Sequence, residues 1–173
     1  MKDTDLPAFV VAEREALLAE IQEVFPGGSR VGGVSWSEAD VIDAYGTEAE
    51  RAAARAKDRD TKWQDLLEDP TWDPDHGWHW SFLDAIGCRY YLPAAMVYVV
   101  RKEKDAGSAL LAHLSYGGFR GSQWMLLNLP QRLCIKRFLQ YMGIVSAWHN
   151  AAFEEDEWLV ALNSYWGRIP DES

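Results

Sequence analysis

The residue types best suited to chemistry cluster in one short segment, WDPDHGWHW, at residues 72–80. His76 and His79 are three positions apart, and Asp73 precedes them. Two imidazoles and a carboxylate could hold zinc or another divalent ion and leave one position open for water. The spacing matches no established metal motif, and a proline and a glycine inside the segment oppose a helical arrangement. We therefore favour an aromatic-rich turn without a metal, and a site formed by Asp73, His76 and His79 stays open as the alternative.

A second set of residues could support general acid–base chemistry, namely His79, Asp84, Arg89 and Tyr91. Asp84 and Arg89 flank a predicted turn, where their side chains could face each other across a hairpin. A structural ion pair explains that placement equally well. Because no nucleophile with a base and an orienting partner accompanies these residues, the sequence predicts no catalytic residue.

Tryptophan is the third feature, with 9 residues in a chain of 173. Buried tryptophans pack cores, whereas exposed ones stack on sugars, cations or partner surfaces. Most of them are expected in the core, with one or two at the rim of a binding surface. The candidates for contact with a ligand or a partner are Trp72, His76, Trp78, His79, Asp84, Arg89 and Tyr91.

The charge and the cysteine content of the chain limit the kinds of partner and cofactor that are expected. The formal net charge is −10, from 27 acidic and 17 basic residues. This charge repels phosphate backbones, so no nucleic-acid partner is expected, whereas a basic protein is attracted. The two cysteines have no metal-like spacing, and no cofactor is predicted. The chain shows neither a leader sequence nor an apolar run near the ~18 residues of a spanning helix, so a cytoplasmic protein without membrane contact is expected.

Hydrophobic periodicity predicts a mainly α fold (α+β), with about six helices packed around a short β-hairpin at residues 81–92. Within SFLDAIGCRYYL, Gly87 is interpreted as the turn between two short strands. Pro93 is then placed in the first turn of a helix over residues 93–104, where its missing N–H costs nothing.

Two capping-box spacings predict helix starts. Ser35 with Glu38 predicts a helix that begins near Ser37, and Asn128 with Gln131 predicts a second one. In this motif the side chains three positions apart satisfy each other's backbone amides. Both helix starts are therefore expected to be fixed locally.

Residues 1–173 are expected to form a single globular domain. Residues 46–60 are rich in charge and alanine and predict an exposed helical flap, and residues 168–173 predict a frayed tail. The apolar face of the predicted helix at residues 131–148 leaves a homodimer open.

The segment GCRYYLPAAM (87–96), preceded by DPTWDP (69–74) and FLDAIG (82–87), resembles an uncharacterised family of bacterial proteins. These are domains of unknown function that carry a W-D-P … G-x-R-Y-Y-L-P-A motif. The segment NLPQRLCIKRFLQYM (128–142) is similar to a later helix of the same family. The resemblance implies no established activity and no catalytic residue.

The acidic balance, the aromatic richness and the lack of a catalytic constellation favour a non-enzymatic protein-binding domain of the bacterial cytoplasm. An immunity-like protein, which engages its partner through an acidic and aromatic surface, is the most concrete version of this hypothesis. The alternative is a small-ligand-binding protein or a metal-dependent enzyme. Its pocket would be formed by the 72–80 loop, the hairpin and the 93–104 helix.

Overall fold

A computed structural model describes residues 6–76, 78–102, 107–115, 121–149 and 156–171, and the regular structure of these residues is helical throughout. Nine α-helices lie within them, together with 3₁₀ helices at Trp63–Glu68 and Trp166–Arg168. The α-helices are α1 (Ala8–Val24), α2 (Trp36–Asp43), α3 (Glu48–Arg55), α4 (His79–Phe82), α5 (Ala85–Lys102), α6 (Ser108–Ser115), α7 (Gly121–Trp124), α8 (Leu129–His149) and α9 (Glu157–Ser164).

The predicted β-hairpin at residues 81–92 is wrong, because these residues form the end of α4 and the first half of α5. No strand occurs among the residues that the structure describes. Asp84 begins α5: its Oδ1 atom accepts a hydrogen bond from the Gly87 amide at 2.8 Å, and its carbonyl oxygen accepts one from the Cys88 amide at 2.8 Å. An aspartate that precedes a helix satisfies amides that lack an intrahelical acceptor. The Asp84 cap therefore favours a helix start at this position over a strand.

Gly87 lies inside α5 and not in a turn. A Cβ atom at this position would lie 2.6 Å from the Val34 carbonyl oxygen, so glycine permits the close approach of the segment before α2. Pro93 also lies in the helix interior, which corrects its predicted place in the first turn. A proline there cannot donate a hydrogen bond to the Arg89 carbonyl. The burial of its apolar neighbours offsets that loss.

The helix α5 is the centre of the core, since twelve of its eighteen residues are buried. A helix that is apolar on all sides shows neither the 3.6-residue hydrophobic period of an amphipathic helix nor the two-residue period of a half-buried strand. For this reason the hydrophobic pattern did not identify α5 as a helix. Helices α1 and α7 pack against α5, α8 pairs with α1, and α9 packs on α8 and α6. In the described ranges, no helix combines the length and the apolar character that a membrane crossing requires.

The helix α3 is held against α2 by one buried carboxylate. Glu38 is 1% exposed and accepts hydrogen bonds from Arg55 Nε at 2.8 Å and from Arg51 Nη2 at 2.9 Å. These hydrogen bonds, led by the one from Arg55, outweigh the opposing effect of burial and hold the pKa of Glu38 at about 2. The segment 46–60, predicted as a flap, therefore contains a helix with an exposed outer side and an inner side fastened to α2.

The C-terminal segment contacts α8. Lys136 Nζ donates hydrogen bonds to the Ile169 carbonyl at 3.0 Å and to Asp171 Oδ1 at 2.7 Å. Residues 172 and 173 of the predicted tail lie outside the described residues, as do residues 103 and 104 of the predicted helix. Near its end α8 exposes 54% of Trp148. A homodimer through this helix stays a prediction.

Candidate binding cleft

A cleft with a volume of about 490 Å³ lies between the start of α2 and the segment 57–72. Trp36 and Trp72 contribute to its walls, with ring centroids 5.6 Å apart and ring planes inclined by 58°. Each tryptophan is only 8% exposed, so its position is fixed by packing before any ligand arrives. The charged side chains that line the cleft are four acids and two bases, namely Asp58, Asp60, Asp65, Asp69, Lys57 and Arg59.

Two of the carboxylates hold the cleft in shape. Asp58 caps α2: its Oδ1 atom accepts a hydrogen bond from Ser37 Oγ at 2.6 Å, and its Oδ2 atom accepts one from the Ser37 amide at 3.0 Å. Asp60 forms an ion pair with Arg30, whose Nε atom lies 2.8 Å from Asp60 Oδ2. The guanidinium of Arg30 also donates to the Asp58 carbonyl. This network fastens the segment 57–60 to the body of the protein.

Of the other two carboxylates, Asp65 lies in the first turn of the 3₁₀ helix Trp63–Glu68 and Asp69 directly follows its last residue. Asp65 Oδ2 accepts hydrogen bonds from the amides of Thr61 at 2.9 Å and Lys62 at 3.2 Å. Asp69 Oδ1 accepts hydrogen bonds from the hydroxyl of Thr71 at 2.7 Å and from its amide at 2.8 Å. These donors lower the pKa of both carboxyl groups, so both stay ionised at neutral pH. Negative charge is therefore a fixed property of the cleft.

Tyr91 positions one of the two tryptophans. It is fully buried, and its hydroxyl oxygen accepts a hydrogen bond from the Trp36 amide at 2.9 Å. Burial, reinforced by the nearby charge of Asp60, raises the pKa of Tyr91. The phenol therefore stays neutral and serves as a fixed acceptor at the start of α2, which makes it a poor general base.

His79 supports Trp36 by ring stacking. Their centroids are 4.7 Å apart, with ring planes inclined by 3°. The Nδ1 atom of His79 lies 2.6 Å from the His76 carbonyl oxygen, and its Nε2 atom lies 3.1 Å from Asp40 Oδ1. Both ring nitrogens are thus engaged, and the imidazole is 3% exposed. His79 therefore acts as a structural residue behind the cleft wall.

The rings of His76 and His79, two residues of the alternative metal site, are neighbours with centroids 5.5 Å apart. His76 is exposed, and Asp73 Oδ1 accepts a hydrogen bond from the Asp75 amide at 2.9 Å within the turn. Over the described ranges, no group of three or more His, Cys, Asp or Glu residues is arranged to hold a metal ion. Since His79 has no free nitrogen, these residues offer no metal-binding arrangement.

The remaining candidates from the sequence lie at separate places. Trp78 is 72% exposed at the start of α4, and Asp84 caps α5 and also accepts a hydrogen bond from the Val34 amide at 3.1 Å. Arg89 is exposed and lines a different pocket. The structure gives no ion pair between Asp84 and Arg89. Of the seven candidates, Trp72 lines the cleft, whereas Tyr91 and His79 act behind it.

Sequence reasoning missed most of the cleft, above all Trp36 and the four aspartates of the segment 57–69. The charge run KDRD at residues 57–60 was interpreted as solvent-exposed. Asp60 directly precedes Thr61 and Asp69 stands two positions before Thr71, but the spacing of the four aspartates indicates no common site. Their convergence on Trp36 depends on contacts across more than twenty positions, which no local pattern reports.

Fold and cleft together define a helical domain with an acidic recess beside two packed tryptophans. The chain belongs to a family of unknown function (DUF6714), whose model matches residues 13–169. The resemblance to a domain of unknown function is thus confirmed. Neither the curated proteins nor the solved structures include a match to this chain.

Proposed function

We propose that this protein is a binding domain that engages a basic protein partner, with an arginine or lysine side chain of the partner in the cleft beside the packed rings of Trp36 and Trp72. The observation that carries the proposal is the combination of two preformed aromatic walls with four carboxylates in one recess. The proposal assigns no catalytic step to the site.

The chemistry of the cleft suits a cation. A guanidinium or ammonium group is attracted to the face of an indole ring, and this attraction grows when the site is partly desolvated. Asp65 and Asp69 add negative charge that their hydrogen-bond donors keep ionised. The lining bases, Lys57 and Arg59, are exposed and can turn towards water. An anionic ligand would have to approach these carboxylates and is disfavoured.

A partner protein suits the site better than a small cation. Trp36 is held from behind by the stacked His79 ring and by the Tyr91 hydroxyl, and a rigid aromatic side chain of this kind is typical of the centre of a protein interface. The net charge of −10 attracts a basic partner from a distance and accelerates its association. An immunity-like role, in which the partner is a basic toxin, is the most specific form of this proposal.

The test uses a hexa-arginine peptide as the probe and the indole N–H signals of a ¹⁵N-labelled protein as the readout. The peptide is expected to shift the signals of Trp36 and Trp72 at low ionic strength, because these rings face the guanidinium. A hexa-citrulline peptide, which has nearly the same shape without the charge, is expected to leave both signals in place.

Two double variants distinguish binding of the peptide in the cleft from its general attraction to an acidic protein. The double variant Asp65→Asn, Asp69→Asn removes two charges from the cleft and keeps side chains that can still accept the turn hydrogen bonds. We expect it to weaken peptide binding about two- to thirtyfold, since each of the two exposed ion pairs contributes roughly 0.2–1 kcal/mol. The control double variant Glu23→Gln, Asp43→Asn removes the same charge from exposed positions outside the cleft. Equal weakening in both variants would refute the cleft as the binding site.

A further inference from the structure

A second pocket, separate from the cleft, lies between the loop after α1 and the start of α5. Its volume is about 250 Å³, and it is lined by aromatic and proline side chains, the glycines of the loop and one guanidinium. The floor is rigid: Trp63 is 1% exposed and its indole N–H donates to the Phe25 carbonyl at 2.8 Å. The lining residues that matter here are Phe25, Pro26, Trp63, Arg89 and Tyr90.

Arg89 is the unusual member of this set. It is exposed, and the described structure gives it no ion pair, although the chain carries ten more acidic than basic residues. By contrast, Arg30 forms an ion pair with Asp60 at 2.8 Å. A guanidinium beside a pocket and free of a carboxylate partner is a ready site for an external one.

The lining defines the chemistry of the ligand. The planar fork of a guanidinium matches the two oxygens of a carboxylate, and a charge-assisted pair of this kind is stronger than a neutral hydrogen bond. The aromatic rings and the proline favour a flat apolar group next to that carboxylate. A volume of about 250 Å³ accommodates a group the size of a substituted benzene ring.

We propose that the pocket between Trp63 and Arg89 binds a small aromatic carboxylic acid, with its carboxylate on the Arg89 guanidinium and its ring against Trp63 and Tyr90. This site is independent of the cleft and of the function proposed for it. It takes an anion, whereas the cleft takes a cation.

Benzoate is the probe for this site, and benzamide is its uncharged counterpart of the same shape. In a ¹H–¹⁵N titration of the full chain, benzoate is expected to shift the indole N–H signal of Trp63 and the amide signals of Gly27 and Gly28. The expected Kd is on the order of millimolar, as for a fragment of this size. The indole signals of Trp36 and Trp72 are expected to stay unchanged, which separates this site from the cleft.

Substitution of Arg89 tests whether its guanidinium binds the carboxylate of benzoate. Arg89→Gln is expected to weaken benzoate binding at least about tenfold, and Arg89→Lys less, because lysine keeps the charge without the fork. The matched control is Arg101→Gln, which removes an exposed arginine from the far end of the same helix and is expected to bind benzoate as the wild type does. Unchanged amide dispersion in the Arg89 variants verifies that they are folded.

Four results would overturn the proposal. The first is the absence of saturable Trp63 shifts up to roughly 20 mM benzoate, well above a millimolar Kd. The second is equal binding of benzamide, which would show that the guanidinium plays no part. The third is equal weakening by Arg89→Gln and Arg101→Gln, which would reduce the effect to general charge. Shifts confined to Trp36 and Trp72 would likewise place benzoate outside this pocket.

Discussion

The substitution Glu38→Gln tests the anchor that holds α3 and the segment after it against α2. The Glu38 carboxylate is buried and accepts hydrogen bonds from Arg51, Arg55 and the Ser35 amide. Glutamine has nearly the same shape but carries no charge, and its amide group presents N–H donors to one of the guanidinium groups. The substitution therefore removes the charge without creating a cavity.

The magnitude follows from the pKa of Glu38, which is about 2 instead of the ordinary 4.5. At about 1.4 kcal/mol for each pKa unit, the folded state favours the ionised form by about 3 kcal/mol. The side chains of Arg51 and Arg55 are 33% and 41% exposed, so solvent screening reduces this value. We expect Glu38→Gln to lower the free energy of unfolding by about 2 kcal/mol and Tm by roughly 4–8 °C.

Urea denaturation followed by tryptophan fluorescence measures the change at pH 7. The control is Glu48→Gln, whose carboxylate is 71% exposed and contacts the same arginines at 3.4 and 3.7 Å, with an expected loss of at most about 0.5 kcal/mol. Because the folded-state pKa of Glu38 is depressed, its contribution is complete above about pH 4.5 and is lost as the pH falls towards about 2. Equal losses for both variants, or the same acid dependence in Glu38→Gln as in the wild type, would refute the reasoning.

Three further substitutions have defined outcomes in the same denaturation assay. Tyr45 has a φ of 56° at the end of α2 and is 97% exposed, so Tyr45→Gly is expected to stabilise the fold by up to about 1 kcal/mol by relieving left-handed strain. Gly87→Ala is expected to cost about 1–3 kcal/mol, because the new Cβ would lie 2.6 Å from the Val34 carbonyl oxygen. Tyr91→Phe is expected to cost about 1–2 kcal/mol, since the buried Trp36 amide loses its acceptor.

Two matched controls accompany these variants. Tyr45→Phe retains the left-handed backbone and removes only an exposed hydroxyl, so its free energy of unfolding is expected to equal that of the wild type. It is the control both for Tyr45→Gly, which changes the backbone, and for Tyr91→Phe, which removes a buried hydroxyl. Gly28→Ala places a Cβ 3.9 Å from its nearest neighbour, the Pro26 carbonyl oxygen, and is expected to be tolerated, in contrast to Gly87→Ala. Loss of stability in Tyr45→Gly, or tolerance of Gly87→Ala, would contradict the local geometry described above.

Local sequence signals predicted several helix starts correctly. At the start of α2 the Ser35 amide donates a hydrogen bond to Glu38 Oε2 at 3.3 Å, and at the start of α8 Asn128 and Gln131 exchange hydrogen bonds at 3.1 and 3.0 Å. These motifs are self-contained within four residues, so their chemistry does not depend on the rest of the fold.

The error at residues 81–92 has a physical cause. The sequence pattern predicts a turn at Gly87 and a helix start at Pro93, whereas Gly87 permits the contact with Val34 and Pro93 lies within a buried helix. The Asp84 cap was the one local feature that indicated a helix start. Apolar residues on all sides of α5 removed the amphipathic pattern that distinguishes helix from strand.

The candidate site was only partly predictable for a related reason. Trp72 was singled out from its aromatic neighbourhood and does line the cleft. Trp36 and Asp58 meet it only through tertiary contacts, such as the hydrogen bond between Ser37 and Asp58 across twenty-one positions. The role of His79 as a support for Trp36 also follows from packing and not from its spacing to His76.

The titration of the Trp36 and Trp72 indole signals with hexa-arginine and hexa-citrulline tests the central claim most directly. The account predicts saturable shifts of both signals with the arginine peptide alone, weakened in Asp65→Asn, Asp69→Asn and retained in Glu23→Gln, Asp43→Asn. Equal responses to the two peptides, or shifts that spare both tryptophans, would contradict the assignment of the cleft as a site for a basic partner.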